Sequence, residues 1–421
     1  MSEQVSQMVA AADERVASDP RTPPAVLAGI AQHRPGLRVL VACNPSAYPD
    51  LVQWLARYPE VAAALAARPR AAPVARGRRR AVAVVVVVVV ALAGLAGYRA
   101  LRPGSRARVA ATATAPTAIA KVHVKDVTIP VGGRPARAAV DTAAHAAFVV
   151  DAGPNGGVSV IDTRSLAVTA RVAVGRSPCD VAVDGTLHAA YVANSGDRTV
   201  SVIDTRSLAV TATVTVGPSP QEVAVDEVAH NAYVLDSVGT VSVIDTQSNR
   251  VMGKIRAGER SRGLAVDTVA HTAYVANAAS GSVSVLDPRL LAVTSTVTVG
   301  QAPKSGWGAR SMAVDGNGHT AYVTNAADGT VSALDTRSFA VIAEIAVGEV
   351  PVDVTVDQGA HTAYVTNSSD NTVSVIDTRS NEVTQMIAVA GSPLGVAADS
   401  ATHAAYVVNS GAGSVSVLPA G

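Results

Sequence analysis

The chain has 421 residues, 48% of them hydrophobic and only 3% aromatic, enough for one large core and a small additional domain. Its net charge of +1 conceals a division: residues 1–120 carry fifteen arginines against six acids, a net +9, while 121–421 carry nineteen Lys and Arg against twenty-seven acids, a net −8. Two cysteines, Cys43 and Cys179, exclude a disulfide framework and any CxxC-type metal site.

Residues 1–68 read as short helices, AVLAGIA (25–31), LRVLVA (37–42), LVQWLA (51–56) and EVAAALAA (60–67), which predicts a small all-α domain. A faint repeat runs through them. DPRTPP (19–24) and NPSAYP (44–49) share Asp/Asn-Pro-x-x-x-Pro, and Ile30-Ala31 returns as Leu55-Ala56, at a period of 25. Asp or Asn before Pro suits a helix entry, because Pro is tolerated in a first turn. The segment resembles the variant leucine-rich repeat family over about fifty residues. That resemblance implies a right-angled stack of short helices, which would be either a small helical cap or a cytosolic protein-binding module. The cysteine cluster that some members carry ahead of such repeats is missing, so no iron–sulfur site and no other cofactor is expected.

A basic linker (69–80) leads into AVAVVVVVVVALAGLAGY (81–98), eighteen residues without a charge, and a second linker follows (99–120). As a helix the run reaches about 27 Å, close to the hydrocarbon thickness of a bilayer. Valine is a mediocre helix former in water, but in lipid the backbone has no partner except itself. The run therefore predicts one transmembrane helix. Six arginines precede it between Arg68 and Arg80 and four follow between Arg99 and Arg108, which favours a cytoplasmic N-terminus and an extracytoplasmic C-terminal part.

The rest of the chain repeats. Asp-x-x-x-His-x-Ala-Tyr/Phe-Val begins at Asp141, Asp184, Asp226, Asp267, Asp315, Asp357 and Asp399, spaced 43, 42, 41, 48, 42 and 42 residues apart. The linker between the fourth and fifth copies is thus about six residues longer than the others. Each copy holds four runs rich in β-branched residues, such as DVAVD (180–184), AAYVAN (189–194), TVSVID (199–204) and AVTATVTVG (209–217). Turn residues separate the runs. Four antiparallel strands at this period fit a propeller blade, so seven copies predict an all-β, seven-bladed propeller over residues 121–421. The last copy ends at SVSVLPAG (414–421) without a fourth strand, and a spare strand lies within KVHVKDVTIPVGG (121–133). It is expected to complete the seventh blade as its outermost strand and to cover that edge.

AYVTN at 321–325 and 363–367, each followed by a SVIDT-like strand, resembles the YVTN β-propeller repeat family, which includes YncE-like propellers. The resemblance implies a bacterial or archaeal surface or periplasmic protein. It specifies no activity, because propellers host binding proteins and enzymes alike.

Seven of the nine histidines occupy one repeat position, spread one per blade, where they cannot converge on one metal ion. They are expected to serve the turn, bonding to the preceding Asp. The Asp-Thr-Arg-Ser turns at Asp162, Asp204, Asp335 and Asp377 are expected to be Asx turns. A specific site must be written where the copies differ. Four residues before each repeat Asp, the first strand enters the channel with Arg137, Asp180, Glu222, Gly263, Ser311, Asp353 and Gly395, and one position earlier stand Cys179, Gln221, Arg262 and Arg310. The long linker adds Lys304 and Trp307, the single tryptophan of the propeller. Arg137, Asp180, Glu222, Arg262, Lys304, Trp307, Arg310 and Asp353 are the candidate ligand or partner contacts.

Two functions compete. One is a membrane-anchored, extracytoplasmic binding or scaffold protein recognising a ligand or partner at the channel face, in one version a sensor coupled through residues 1–68 to a cytosolic partner. The other is a propeller enzyme of lactonase, lyase or dehydrogenase-subunit type, for which Asp180 and Glu222 are the nearest approach to a catalytic pair. No catalytic residue, cofactor or metal site is assigned. A net charge of −8 with one Trp lacks the basic footprint and stacking aromatics of a nucleic-acid binder.

Overall fold

The computed structural model describes residues 121–122, 127–299 and 308–419. The predicted helices of residues 1–68, the linkers, the span 81–98 and the residues Lys304 and Trp307 lie outside them. Among the described residues there is no helix, and so none that is long and apolar enough to cross a membrane.

Seven sheets, each built on four antiparallel strands, follow one another along the chain, and one of them carries a fifth strand at its outer edge. Blade two shows the pattern: Pro178–Asp184 lies innermost, then Ala189–Asn194, Thr199–Asp204 and, outermost, Val210–Thr215. The two middle strands are apolar on both faces because each is covered by a neighbouring blade, and AAYVAN is buried at every position. The outermost strand buries little besides Val214 and faces solvent with threonines.

The core therefore lies between blades. Phe148, Val158 and Val160 of the first blade meet Val181, Val192 and Ile203 of the second. Small Val and Ala side chains make up most of these interfaces, and the repeat's aromatic is buried among them. Tyr191, Tyr233, Tyr274, Tyr322 and Tyr406 are all fully buried. A buried hydroxyl needs a partner. Tyr191 Oη donates to Thr246 O at 3.3 Å and Tyr322 Oη to Thr378 O at 3.3 Å, each in the blade that follows.

The repeat Asp and His form a second bond between blades. Asp226 is buried, and its Oδ1 accepts the turn N–H groups of Val228 and Ala229. Its Oδ2 meets His271 Nδ1 of the next blade at 2.9 Å, as Asp357 Oδ2 meets His403 Nδ1 at 2.8 Å. The structural role expected for the histidines holds at these positions, but the partner is the Asp one repeat earlier rather than their own. All seven histidines sit in the left-handed region, with φ between 51° and 56°, which closes the turn. The Asx turns are present: Asp162 Oδ1 accepts Ser165 N at 2.7 Å, and Asp204 and Asp335 do the same for Ser207 and Ser338.

The ring closes as expected, with one addition. Val127–Pro130 pairs antiparallel with Ser414–Leu418 and completes the seventh blade, burying Ile129. Lys121–Val122, in the same sequence run, pairs in parallel with Met386 and Ile387 at the outer edge of the sixth blade instead. The chain entering the propeller thus covers two outer edges.

Candidate functional site at the channel mouth

Each innermost strand loses register with its neighbour at one place, as between Pro178 and Asp180, Pro220 and Glu222, or Ser261 and Gly263. The cause is one extra residue per strand, which re-aims the side chains on either side of it. Two tiers result. The bulged residues line a cavity of about 310 Å³ at the end of the channel where the linkers between blades lie. The residues one step later, four before the repeat Asp, line a narrower space of about 90 Å³ beneath it.

Arg137 forms the floor between the tiers and is shared by both cavities. Its guanidinium lies 3.4 Å from Asp353, 3.7 Å from Glu222 and 4.0 Å from Asp180, and Nη1 donates to Leu394 O at 3.1 Å. Burial opposes its charge, yet Asp353, Glu222 and Asp180 together hold it ionised more firmly than in water.

The acids are tied on their other sides. Asp180 Oδ2 accepts Val223 N at 2.8 Å, Glu222 Oε2 accepts Leu264 N at 2.7 Å, and Asp353 Oδ2 accepts Val396 N at 3.0 Å. Each bond runs to the innermost strand of the next blade. Ser311 Oγ donates to Asp353 Oδ1 at 2.6 Å. At Gly395 the neighbouring strand comes too near for any side chain, and at Gly263 it comes close. A Cβ on Gly395 would lie 2.7 Å from Ala136 O and 2.9 Å from Arg137 Cα. Burial pushes Asp180 up to about 7 against the pull of Arg137 and of the Val223 N–H. Burial also raises Glu222 well above its ordinary value, again against Arg137 and with Asp180 adding to the effect.

The upper tier differs in character. Arg262 and Arg310 enter it from adjacent blades, beside Gln221 and Ser219, while Ala136, Val352 and Leu394 supply an apolar side. Burial lowers Arg310 from its usual value, and Arg137 and Arg262 lower it further by repulsion. Burial pushes the Cys179 thiol up to about 12, and it donates to Pro220 O at 3.1 Å.

The sequence-derived ring is thus brought together at Arg137, Asp180, Glu222, Ser311 and Asp353, and Arg262 and Arg310 share the cavity above it. Ala136, Val352 and Leu394 were missed as lining residues, although they occupy the register position that had singled out Cys179, Gln221, Arg262 and Arg310. Aligning the copies places them there, but an apolar residue in an apolar repeat carries no polar signal of a site. Among the described residues no group of three or more His, Cys, Asp or Glu side chains is placed to hold a metal ion.

A family model for the Leucine Rich Repeat Variant domain matches residues 11–69, the segment read as such repeats. No curated protein matches the chain. A solved structure titled Kuenenia stuttgartiensis Hydrazine Synthase is similar in fold, with a TM-score of 0.61 at 17% identity, covering 71% of this chain and 97% of that one.

Proposed function

We propose that this protein is a membrane-anchored, extracytoplasmic propeller of the YVTN type that binds a ligand at its channel mouth. Its variant leucine-rich repeat segment would meet a protein partner in the cytoplasm. The observation that carries the binding role is the two-tier channel. The lower tier is fully engaged in holding blades together, while the upper tier leaves a cavity of about 310 Å³ with guanidinium, amide, hydroxyl and apolar groups facing one volume. That size and mixture match a small-molecule site. The anchor rests on the uncharged run 81–98 and its flanking arginines, and the YVTN type on the AYVTN and SVIDT phrases.

The enzymatic alternative has one feature in its favour, a carboxyl group near neutrality at Asp180. Against it, Asp180 Oδ2 accepts the Val223 N–H and Oδ1 faces the Arg137 guanidinium at 4.0 Å, so the carboxyl is turned into the ring rather than toward the mouth.

A thermal-shift screen of the full chain in detergent against glycans, peptidoglycan fragments and organic acids tests the binding role. Leu394→Trp, which fills the mouth, should remove every shift the wild type shows. Hits that survive Leu394→Trp would place binding elsewhere.

A further inference from the structure

Three guanidiniums line the mouth, and they are not equivalent. Arg137 is neutralised from below by Asp353, Glu222 and Asp180. Arg262 and Arg310 come from the bulges of the fourth and fifth blades, and neither has a carboxylate at its own register position in the tier below, which holds Gly263 and Ser311 there. Arg262 is exposed, and its side chain makes no ion pair or hydrogen bond among the described residues. Burial disfavours the charge on Arg310 and its two arginine neighbours disfavour it further, against the smaller pull of Asp353 and Glu222. Like charges brought to one cavity repel, and an anion bound among them removes that repulsion.

We infer that the channel mouth is a site for a small organic carboxylate, held between Arg262 and Arg310 with its carbon skeleton against Val352, Leu394 and Ala136. The inference rests on the reading of the mouth as a ligand site. Guanidinium is the group that meets a planar carboxylate with two parallel N–H donors. The apolar wall selects against inorganic phosphate, which would leave it bare. Gln221 and Ser219 add a neutral amide and hydroxyl for a polar substituent on the skeleton. Glu222 also lines the cavity, but its Oε2 is engaged by the Leu264 N–H and its Oε1 faces Arg137. Its charge is thereby turned toward Arg137 and the Leu264 N–H rather than toward an incoming anion.

Calorimetric titration of the full chain in detergent with succinate, its uncharged analogue succinamide, inorganic phosphate and N-acetylglucosamine tests this. Succinate should bind saturably and succinamide should not. Phosphate should bind at least about tenfold more weakly than succinate, the wall contributing about 1.4 kcal/mol. Arg262→Gln, a substitution at an exposed side chain, should weaken succinate by about tenfold or more without lowering the melting temperature, and Arg262→Lys should restore only part of the loss. Equal binding of succinate and succinamide, phosphate as tight as succinate, or succinate binding unchanged in Arg262→Gln would overturn the carboxylate assignment, as would no succinate binding at all. N-acetylglucosamine binding that Leu394→Trp abolishes would overturn the carboxylate class while retaining the mouth as the site. Binding of every probe unaffected by Leu394→Trp would remove both.

Discussion

Arg137 of the first blade and Asp353 of the sixth approach to 3.4 Å across the channel, passing the blade that separates them. Gly395 makes this possible, because any side chain on the intervening blade would strike the Arg137 backbone. One cation therefore gathers acids from blades two, three and six, and the channel is held by charge where the blades around it are held by packing, Tyr hydroxyl bonds and Asp–His pairs.

Removing that cation should be costly. Arg137→Leu leaves three buried carboxylates without their counter-charge, and breaking a buried ion pair costs about 3–5 kcal/mol. The loss should be largest near pH 8 and smaller near pH 5.5, where the stranded carboxylates take up protons. Urea denaturation at the two pH values reads the difference. Equal losses at both would show that Arg137 acts by its bulk.

Asp180 predicts a pH dependence of its own. A carboxyl raised to about 7 in the folded state binds its proton more tightly than in the unfolded chain, where it titrates near 4. Its contribution is present below about 4 and is lost as pH rises through about 7. The turn aspartates act in the opposite sense: hydrogen bonds from Ser165, Ser207 and Ser338 lower Asp162, Asp204 and Asp335, so their support disappears in acid. The melting temperature should thus be highest at mildly acidic pH. Asp180→Asn should flatten the decline between pH 5 and 7 and leave the acid limb intact. A decline of undiminished slope in Asp180→Asn would assign it to another group.

Deleting residues 121–131 should expose the outer edges of two blades. Ile129 and Val131 are both 4% exposed, and burying two such side chains is worth about 3 kcal/mol or more. The truncated protein should melt earlier and self-associate edge to edge, seen by light scattering. A truncated chain that melts like the full one would show that the ring closes without this strand.

With residues 81–98 as a membrane span and the N-terminus inside, a protease added to cells whose outer envelope, where present, has been opened should degrade the propeller and spare residues 1–68. A protected propeller would reverse the orientation and exclude a ligand from outside.

Trp307 precedes Gly308 and Ala309, directly ahead of the strand that carries Arg310 into the mouth. Trp307→Ala should weaken ligand binding severalfold while the melting temperature stays nearly constant. A large fall in melting temperature with binding intact would make Trp307 a packing residue.

Periodicity made the blades legible, and the ring positions followed by counting from each Asp. Interactions between blades were less so. That His403 bonds Asp357 rather than Asp399 depends on how neighbouring sheets are rotated, which identical repeats cannot encode locally. The meeting of Arg137 and Asp353 joins residues far apart in sequence, with no local signal to pair them. The bulge that splits the channel into two tiers is equally silent, because a one-residue register shift leaves the same letters in the same order. The parting of Lys121–Val122 from Val127–Pro130 follows from four intervening residues that carry no repeat phrase.

The closing strand also sets a timetable. Val127 is made early and its partner Val417 lies 290 positions later, so a chain emerging from the ribosome assembles blade after blade as an open arc. The seventh sheet lacks its cover until the final strands are released. Joining ends that far apart costs little additional entropy over a shorter loop, but it cannot begin until synthesis of the array is nearly finished. Truncated translation products would therefore present an unsatisfied strand edge, a mark by which quality control could tell them from the completed ring.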